Sequence, residues 1–322
     1  MSRRKLILDG DYGIDDAMAA LYLCHQSDVE ILAVGSVHGN ATATAAARNA
    51  MSVLAIGRRP DVSVALGAQR PLAQPVDISS MVHGEDGLGG QAPEAPPERF
   101  HADVPAAVQI VHTVRAHPGE CTIVATGPLT NLALALMLDP EVATLVADVV
   151  VMGGTLEHPG NISPYAEANI AHDPEAAQLV FQAQWPVTQV GLDVTMPTWM
   201  GPDHLARIES SDTAAGRFCW RILQHYLAFY ASRHSRPGCP LHDPSAALVA
   251  LDPTLASWFE ATVDVELRSP SNRGMLIVDR REFAAEHRAP GQPTVKIVTA
   301  LDTDRLLSKF LDGLLAGPAP AS

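Results

Sequence analysis

Asp9, Asp11, Asp15 and Asp16 fall within eight consecutive positions, in the run Leu8-Asp-Gly-Asp-Tyr-Gly-Ile-Asp-Asp-Ala17. A helix N-terminus favours a nearby carboxylate by roughly 0.3–1 kcal/mol. Two carboxylates about 5 Å apart repel by roughly 3 kcal/mol at an effective dielectric of 20. A helix dipole alone therefore cannot hold four such groups together, and the cluster implies a bound cation or protonated acids. All-oxygen ligands select a hard ion, and Ca²⁺, with roughly six to eight flexible ligands, suits a crowded carboxylate loop better than octahedral Mg²⁺. The competing explanation, that Asp15 caps a helix and the others are solvated, needs one acid and not four.

Other polar residues could share this chemistry. His242 sits next to Asp243, and an imidazole with an ordinary pKa near 6.5 can deliver a proton at neutral pH; a histidine just before a helix is otherwise a surface or capping residue. Asn161, Glu167 and Asn169 occupy a Gly/Pro-containing loop, where polarity alone is an alternative explanation. Asn40 reads equally well as a helix cap. Tyr226 and Tyr230, four apart on one helix face, could stack on or hydrogen-bond to a ring, and core packing explains them as well. His83 lies in a glycine-rich segment, and Met152 after a buried strand reads as core filling. The 13 histidines never adopt a H-E-x-x-H or Cys/His zinc spacing. Neither G-x-G-x-x-G after the first strand nor a Walker A motif occurs.

The elements that must position these residues alternate short β-branched runs with Ala/Leu-rich helical runs. Strands are expected at 6–9, 30–37, 62–66, 122–125 and 149–152, with helices at 15–25, 42–57, 104–116 and 129–138 between them. The fold class is thus α/β: one domain over residues 1–322, with a Rossmann-like, mostly parallel or mixed central sheet flanked by helices. Ligands on such sheets bind at the carboxyl ends of the strands, where the aspartate run lies. The Gly- and Pro-rich stretch 69–103 is long enough to be a functional lid. Helices at 212–233 and 243–250, strands near 262–267, 275–278 and 295–298, and a frayed tail at 317–322 complete the expectation.

A net charge of −14, from 22 Lys+Arg against 36 Asp+Glu, argues against nucleic acid or an anionic membrane surface as partner. The cysteines Cys24, Cys121, Cys219 and Cys239 form no framework, which fits a reduced cytoplasmic location. Only Leu6, Ile7 and Leu8 precede Asp9, too few for a signal-peptide core. No run reaches the roughly 18 apolar residues of a spanning helix.

The aspartate run resembles the D-x-D-x-x-x-D-D signature of the inosine–uridine nucleoside hydrolase family. Three further segments are similar to that family in the same order: Thr126-Gly-Pro-Leu-Thr-Asn131; Met152-Gly-Gly with Asn161 and Glu167-Ala-Asn169; and His242-Asp243-Pro244. Tyr12 stands where the signature commonly has proline, which bears on loop rigidity and access more than on the carboxylate spacing. The resemblance covers nearly the whole chain. It implies Ca²⁺-dependent hydrolysis of the N-glycosidic bond of ribonucleosides, with Asp11, Asp16, Asp243 and the Thr126 carbonyl as ligands. It further implies Asp11 as general base and His242 as the acid that protonates the leaving base. Asp15, Asn40, His83, Met152, Asn161, Glu167, Asn169, Tyr226 and Tyr230 become substrate-binding positions, and the assembly a homodimer or homotetramer. His242 and the tyrosines resemble the broad-specificity branch, while a purine-specific branch has tryptophan at the histidine position. The preferred base stays open.

Two rivals remain. A haloacid-dehalogenase-like phosphatase would use Asp9-Gly-Asp11 as its D-x-D nucleophile, but it needs a well-placed lysine, and Lys5, Lys296 and Lys309 are the only ones in the chain. A Ca²⁺-stabilised nucleoside- or ribose-binding sensor would share the ligands and dispense with the base and the acid.

Overall fold

The computed structural model describes residues 3–93 and 102–317. Its strands are β1 (Arg4–Gly10), β2 (Val29–Ser36), β3 (Val64–Ala65), β4 (Cys121–Ala125), β5 (Asp148–Met152), β6 (Val187–Val190), β7 (Trp199–Met200), β8 (Cys239–Pro240), β9 (Ala256–Ala261), β10 (Val263–Val265), β11 (Leu276–Val278) and β12 (Val295–Leu301). The helices are α1 (Ile14–Cys24), α2 (Ala43–Ile56), α3 (Ser80–His83), α4 (Ala106–Ala116), α5 (Thr130–Leu138), α6 (Val142–Leu145), α7 (Ala168–His172), α8 (Pro174–Phe181), α9 (Leu192–Thr195), α10 (Pro202–Glu209), α11 (Ala214–Ala231), α12 (Asp243–Leu251) and α13 (Thr303–Leu315).

Among the described residues the main sheet runs β3-β2-β1-β4-β5-β6-β12-β9. Every neighbouring pair is parallel except β12 with β9. The first six strands follow the doubly wound order, in which β1 and β4 flank the point where the winding reverses and a crevice opens at their carboxyl ends. Alternation along β1 builds both layers. Leu6 and Leu8 pack with α1, α2, α11 and α13 on one face, and Ile7 packs with α4, α5 and α8 on the other. Helix α1 is buried along its whole length, so the aspartates in its first turn are carried on a fixed support.

The expected elements of the first half all occur, with ends displaced by one or two residues; α4 begins at Ala106 because Pro105 takes its cap position. The second half differs more. The segments read as strands near 262–267 and 275–278 form a separate antiparallel pair, β10 with β11, outside the main sheet. Strands β6 and β9 and helices α8, α10 and α13 were not anticipated. Within the presumed lid, α3 supplies a helical turn and Ala102 N donates to Val64 O at 3.2 Å, which returns the chain to the sheet edge; 94–101 of that stretch lie outside the described residues, as do 318–322 of the expected frayed tail. No helix among the described residues is long and apolar enough to cross a membrane.

Candidate active site

The chain leaves β1 at Gly10, turns through Tyr12 and enters α1 with Gly13 as its N-cap. Asp15 and Asp16 occupy the first turn of α1, and Asp243 occupies the first turn of α12. Two helix N-termini thus offer their partial positive charge to one acidic cluster. Asp16 Oδ2 accepts from Gly13 N at 2.8 Å and Oδ1 from Thr126 Oγ1 at 2.7 Å. Thr126 lies just past β4, and its own N–H donates to Asp9 O at 2.8 Å, tying the two strand ends at the switch point together. Asp11 is held on both oxygens by Asn40, at 2.7 Å from the backbone N–H and 3.0 Å from the side-chain amide.

One carboxylate oxygen each from Asp15, Asp16 and Asp243 lies within 4.8 Å of the others. All three residues are buried, as are Asp9 and Asp11. Among the described residues no lysine or arginine pairs with any of them. Burial without a positive partner pushes every one of these carboxyls up: Asp9 to about 7, Asp15 to about 6, Asp16 upward, and Asp11 and Asp243 well above the ordinary range. Asp15 Oδ1 is buried with no hydrogen-bond partner. A hard cation answers both observations, because it supplies the missing charge and uses the orphaned oxygen.

Beside the acids lies a narrow cleft of about 100 Å³ that opens to solvent. Every candidate ligand and substrate-binding residue lines it except Asp11 and Asp16, and Asp9 of the aspartate run does not line it either. On one wall, Glu167 caps α7 by accepting from Asn169 N and Ile170 N, and also takes Gly154 N at 2.8 Å. Asn169 Nδ2 donates to Thr126 O and Met152 O at 3.1 and 3.0 Å. Asn161 Oδ1 accepts from Ala168 N, leaving its amide NH₂ for a ligand.

The opposite wall is aromatic. His242 is bracketed by Thr195 Oγ1, 2.8 Å from Nδ1, and Tyr230 Oη, 3.0 Å from Nε2. Tyr226 Oη donates to Asp15 Oδ2 at 3.3 Å. His83 Nδ1 accepts from Ile14 N at 3.0 Å, so the proton of its neutral ring is on Nε2. Burial lowers His83 to about 4 and His242 to about 3, so both rings are neutral at pH 7 without substrate. The ordinary imidazole pKa assumed from sequence therefore does not apply to His242. Its protonation at pH 7 requires negative charge beside it.

Sequence reasoning missed Thr195, Ser79, Val82, Ile162 and Phe229. Thr195 follows β6 in Leu192-Asp-Val-Thr195, and it was invisible because β6 had not been recognised as a strand whose end faces the site. The apolar liners carry no chemical signature. None of the three lysines lies in the cleft: Lys5 pairs with Glu120, Lys309 with Asp252, and Lys296 lies over the Trp258 ring.

A family model described as inosine-uridine preferring nucleoside hydrolase matches residues 6–308. The chain is 34% identical to a probable uridine nucleosidase 2 of Arabidopsis thaliana, covering 97% of this chain and 98% of that one. It is 36% identical to the inosine-uridine preferring nucleoside hydrolase of Crithidia fasciculata, covering 97% of each. A solved plant nucleoside hydrolase superposes with a TM-score of 0.92 at 31% identity, covering 97% of this chain and 99% of that one.

Proposed function

The chain belongs to the inosine-uridine preferring nucleoside hydrolase family, whose members cleave ribonucleosides, and from that premise we propose Ca²⁺-dependent hydrolysis of uridine- and inosine-type ribonucleosides to ribose and free base. The observation that carries this reading is the buried acidic floor with its orphaned Asp15 oxygen, facing a cleft whose other wall presents His242. The likeness to a probable uridine nucleosidase and to an inosine-uridine preferring nucleoside hydrolase supports the substrate class.

Asp11, Asp16, Asp243 and the Thr126 carbonyl would hold the ion, and the placement of Asp15 beside Asp16 and Asp243 adds a further oxygen in reach. When bound, Ca²⁺ supplies the positive charge that keeps these carboxylates ionised and makes an adjacent water more acidic. Asp11, oriented by both donors of Asn40, accepts the proton of the attacking water. Asn161, Glu167 and Asn169 orient the ribose, and the carboxylates stabilise the positive charge that builds on it as the glycosidic bond stretches. His242, with Tyr230 at Nε2, takes up a proton from solvent as the base gains negative charge and passes it to that base. Tyr226, Phe229, Val82 and His83 form the surface on which the base rests. The same reading carries a homodimer or homotetramer in the cytoplasm, which four free, buried cysteines suit.

The test is Asp11→Ala. Removal of base and ligand together abolishes turnover of uridine while circular dichroism stays native; wild-type turnover by this variant would overturn the site.

A further inference from the structure

Residues Gly84–Ala92 form a compact knot. The Asp86 carboxylate accepts from Leu88 N, Gly90 N and Ala92 N at 2.9–3.0 Å. Gly89 N closes on His83 O at 2.7 Å. Gly84, Gly87, Gly89 and Gly90 all have positive φ, and Leu88 is fully buried. The knot, closed on its own carboxylate, follows directly on His83, whose Nδ1 accepts from Ile14 N.

The loop between Asp11 and Asp15 holds the second unusual feature. Tyr12 has φ of 40°, a conformation that a bulky L-residue adopts only when its surroundings impose it. What meets its backbone is Asn49 of α2, 3% exposed. The single Asn49 amide group donates to Tyr12 O at 3.1 Å and to Asp86 O at 2.8 Å. Both partners are carbonyl oxygens, and the two N–H bonds of one amide group satisfy them together. Asn49 touches neither the acids nor the cleft. It reaches the acidic loop through one hydrogen and the lid knot through the other.

We propose that Asn49 is a positioning residue that couples the two: the backbone placement of the acidic loop and the seating of the lid knot, with His83, share one buried amide on a rigid helix. This rests on the Ca²⁺ reading above. Metal binding fixes the Asp11–Asp16 loop, the loop fixes the Tyr12 carbonyl against Asn49, and Asn49 then holds the knot in place. Coupling of this kind is reciprocal, so the factor by which Ca²⁺ quiets the lid equals the factor by which a seated lid tightens Ca²⁺.

The experiment is hydrogen exchange of the 83–93 segment, with and without Ca²⁺, paired with calorimetric Ca²⁺ titration. Wild type is compared with Asn49→Leu, which keeps volume and removes both donors. A second variant, Gly87→Ala, carries the change on the lid side: its Cβ would stand 3.0 Å from Asn49 Nδ2, in a tighter contact than its 3.4 Å to Tyr12 O, at a φ of 80°, and it decides the question should Asn49→Leu not fold. Ser52→Ala, on the same helix with its hydroxyl bonded only to Arg48 O, is the control. In wild type and Ser52→Ala, Ca²⁺ should slow lid exchange about tenfold. In Asn49→Leu and Gly87→Ala the lid response should fall below about twofold, and Ca²⁺ should still bind, about tenfold more weakly. A general packing defect would speed exchange equally with and without the ion and leave the ratio intact, which overturns the proposal. Wild-type binding of Ca²⁺ without a lid response also overturns it, leaving the metal reading untouched. No Ca²⁺ binding by wild type overturns the metal reading and the coupling with it.

Discussion

The raised carboxyls make a quantitative prediction about proton release. Ca²⁺ attracts only the ionised form of each acid, so binding to a site whose acids are protonated must expel those protons. At pH 6, Asp15 at about 6 is half protonated, and burial beside acidic neighbours pushes Asp11 and Asp243 up in the same direction. Asp15 alone would release about half a proton per ion, and the other raised acids add to that. The sign follows directly: because these pKa values are raised in the metal-free protein, Ca²⁺ binding tightens as pH rises. It tightens by about one decade, or ~1.4 kcal/mol, per pH unit for each proton expelled. Affinity should therefore improve as pH rises through 6, by at least about threefold per unit from Asp15 alone, and level off above the carboxyl pKa values. The histidines contribute little, since His83 and His242 are already neutral there. Calorimetry in two buffers of different ionisation enthalpy counts the protons, and repetition from pH 5.5 to 8 gives the slope. A pH-independent affinity with no proton release would refute the claim that burial without a positive partner keeps these acids protonated.

Three substitutions probe separate parts of the account. His242→Ala should slow uridine hydrolysis by about 10²–10⁴, the usual worth of a general acid, and largely spare a p-nitrophenyl riboside, whose leaving group needs no proton; equal loss on both substrates would remove His242 from that role. Thr195→Val removes the hydroxyl at Nδ1 of His242 with little change in volume, and should lower kcat for uridine about tenfold with KM within about twofold; unchanged kcat would show that the imidazole does not depend on Thr195. Gly35→Ala places a Cβ 2.3 Å from Asp9 Oδ2 and 3.0 Å from Ala106 Cβ, so urea denaturation should report a loss of about 1–3 kcal/mol; a stability equal to wild type would show that Asp9 can move aside.

What could be read from the sequence depended on distance along the chain. The aspartate run was legible because its four members sit on one strand end and one helix turn, where local spacing alone brings them together. The doubly wound half was legible because its strands are β-branched and its helices long and periodic. Strand β6, only four residues with Thr188 and Gln189 inside it, gives no apolar run. Strand β9, Ala-Ser-Trp-Phe-Glu-Ala, lies at the sheet edge mostly exposed and shows no alternation. Their absence hid Thr195, which owes its place to the end of β6. The pKa of His242 was beyond sequence for a different reason: only the packing of α11, α9 and α12 around it reveals how dry the ring is. Tyr12 was visible as a departure from the family signature, but its left-handed backbone and its Asn49 partner 37 positions away were not.

Proposed hydrolysis by the acidic floor and the His242 wall ties release of ribose to Ca²⁺. The most direct measurement is release of free ribose from uridine, cytidine, inosine and adenosine by the purified protein, before chelation, after chelation and after Ca²⁺ add-back. Release from uridine and inosine should vanish with the chelator and return with Ca²⁺. Release that persists undiminished in the chelator, or no release from any of the four by protein with Ca²⁺ bound, would contradict it.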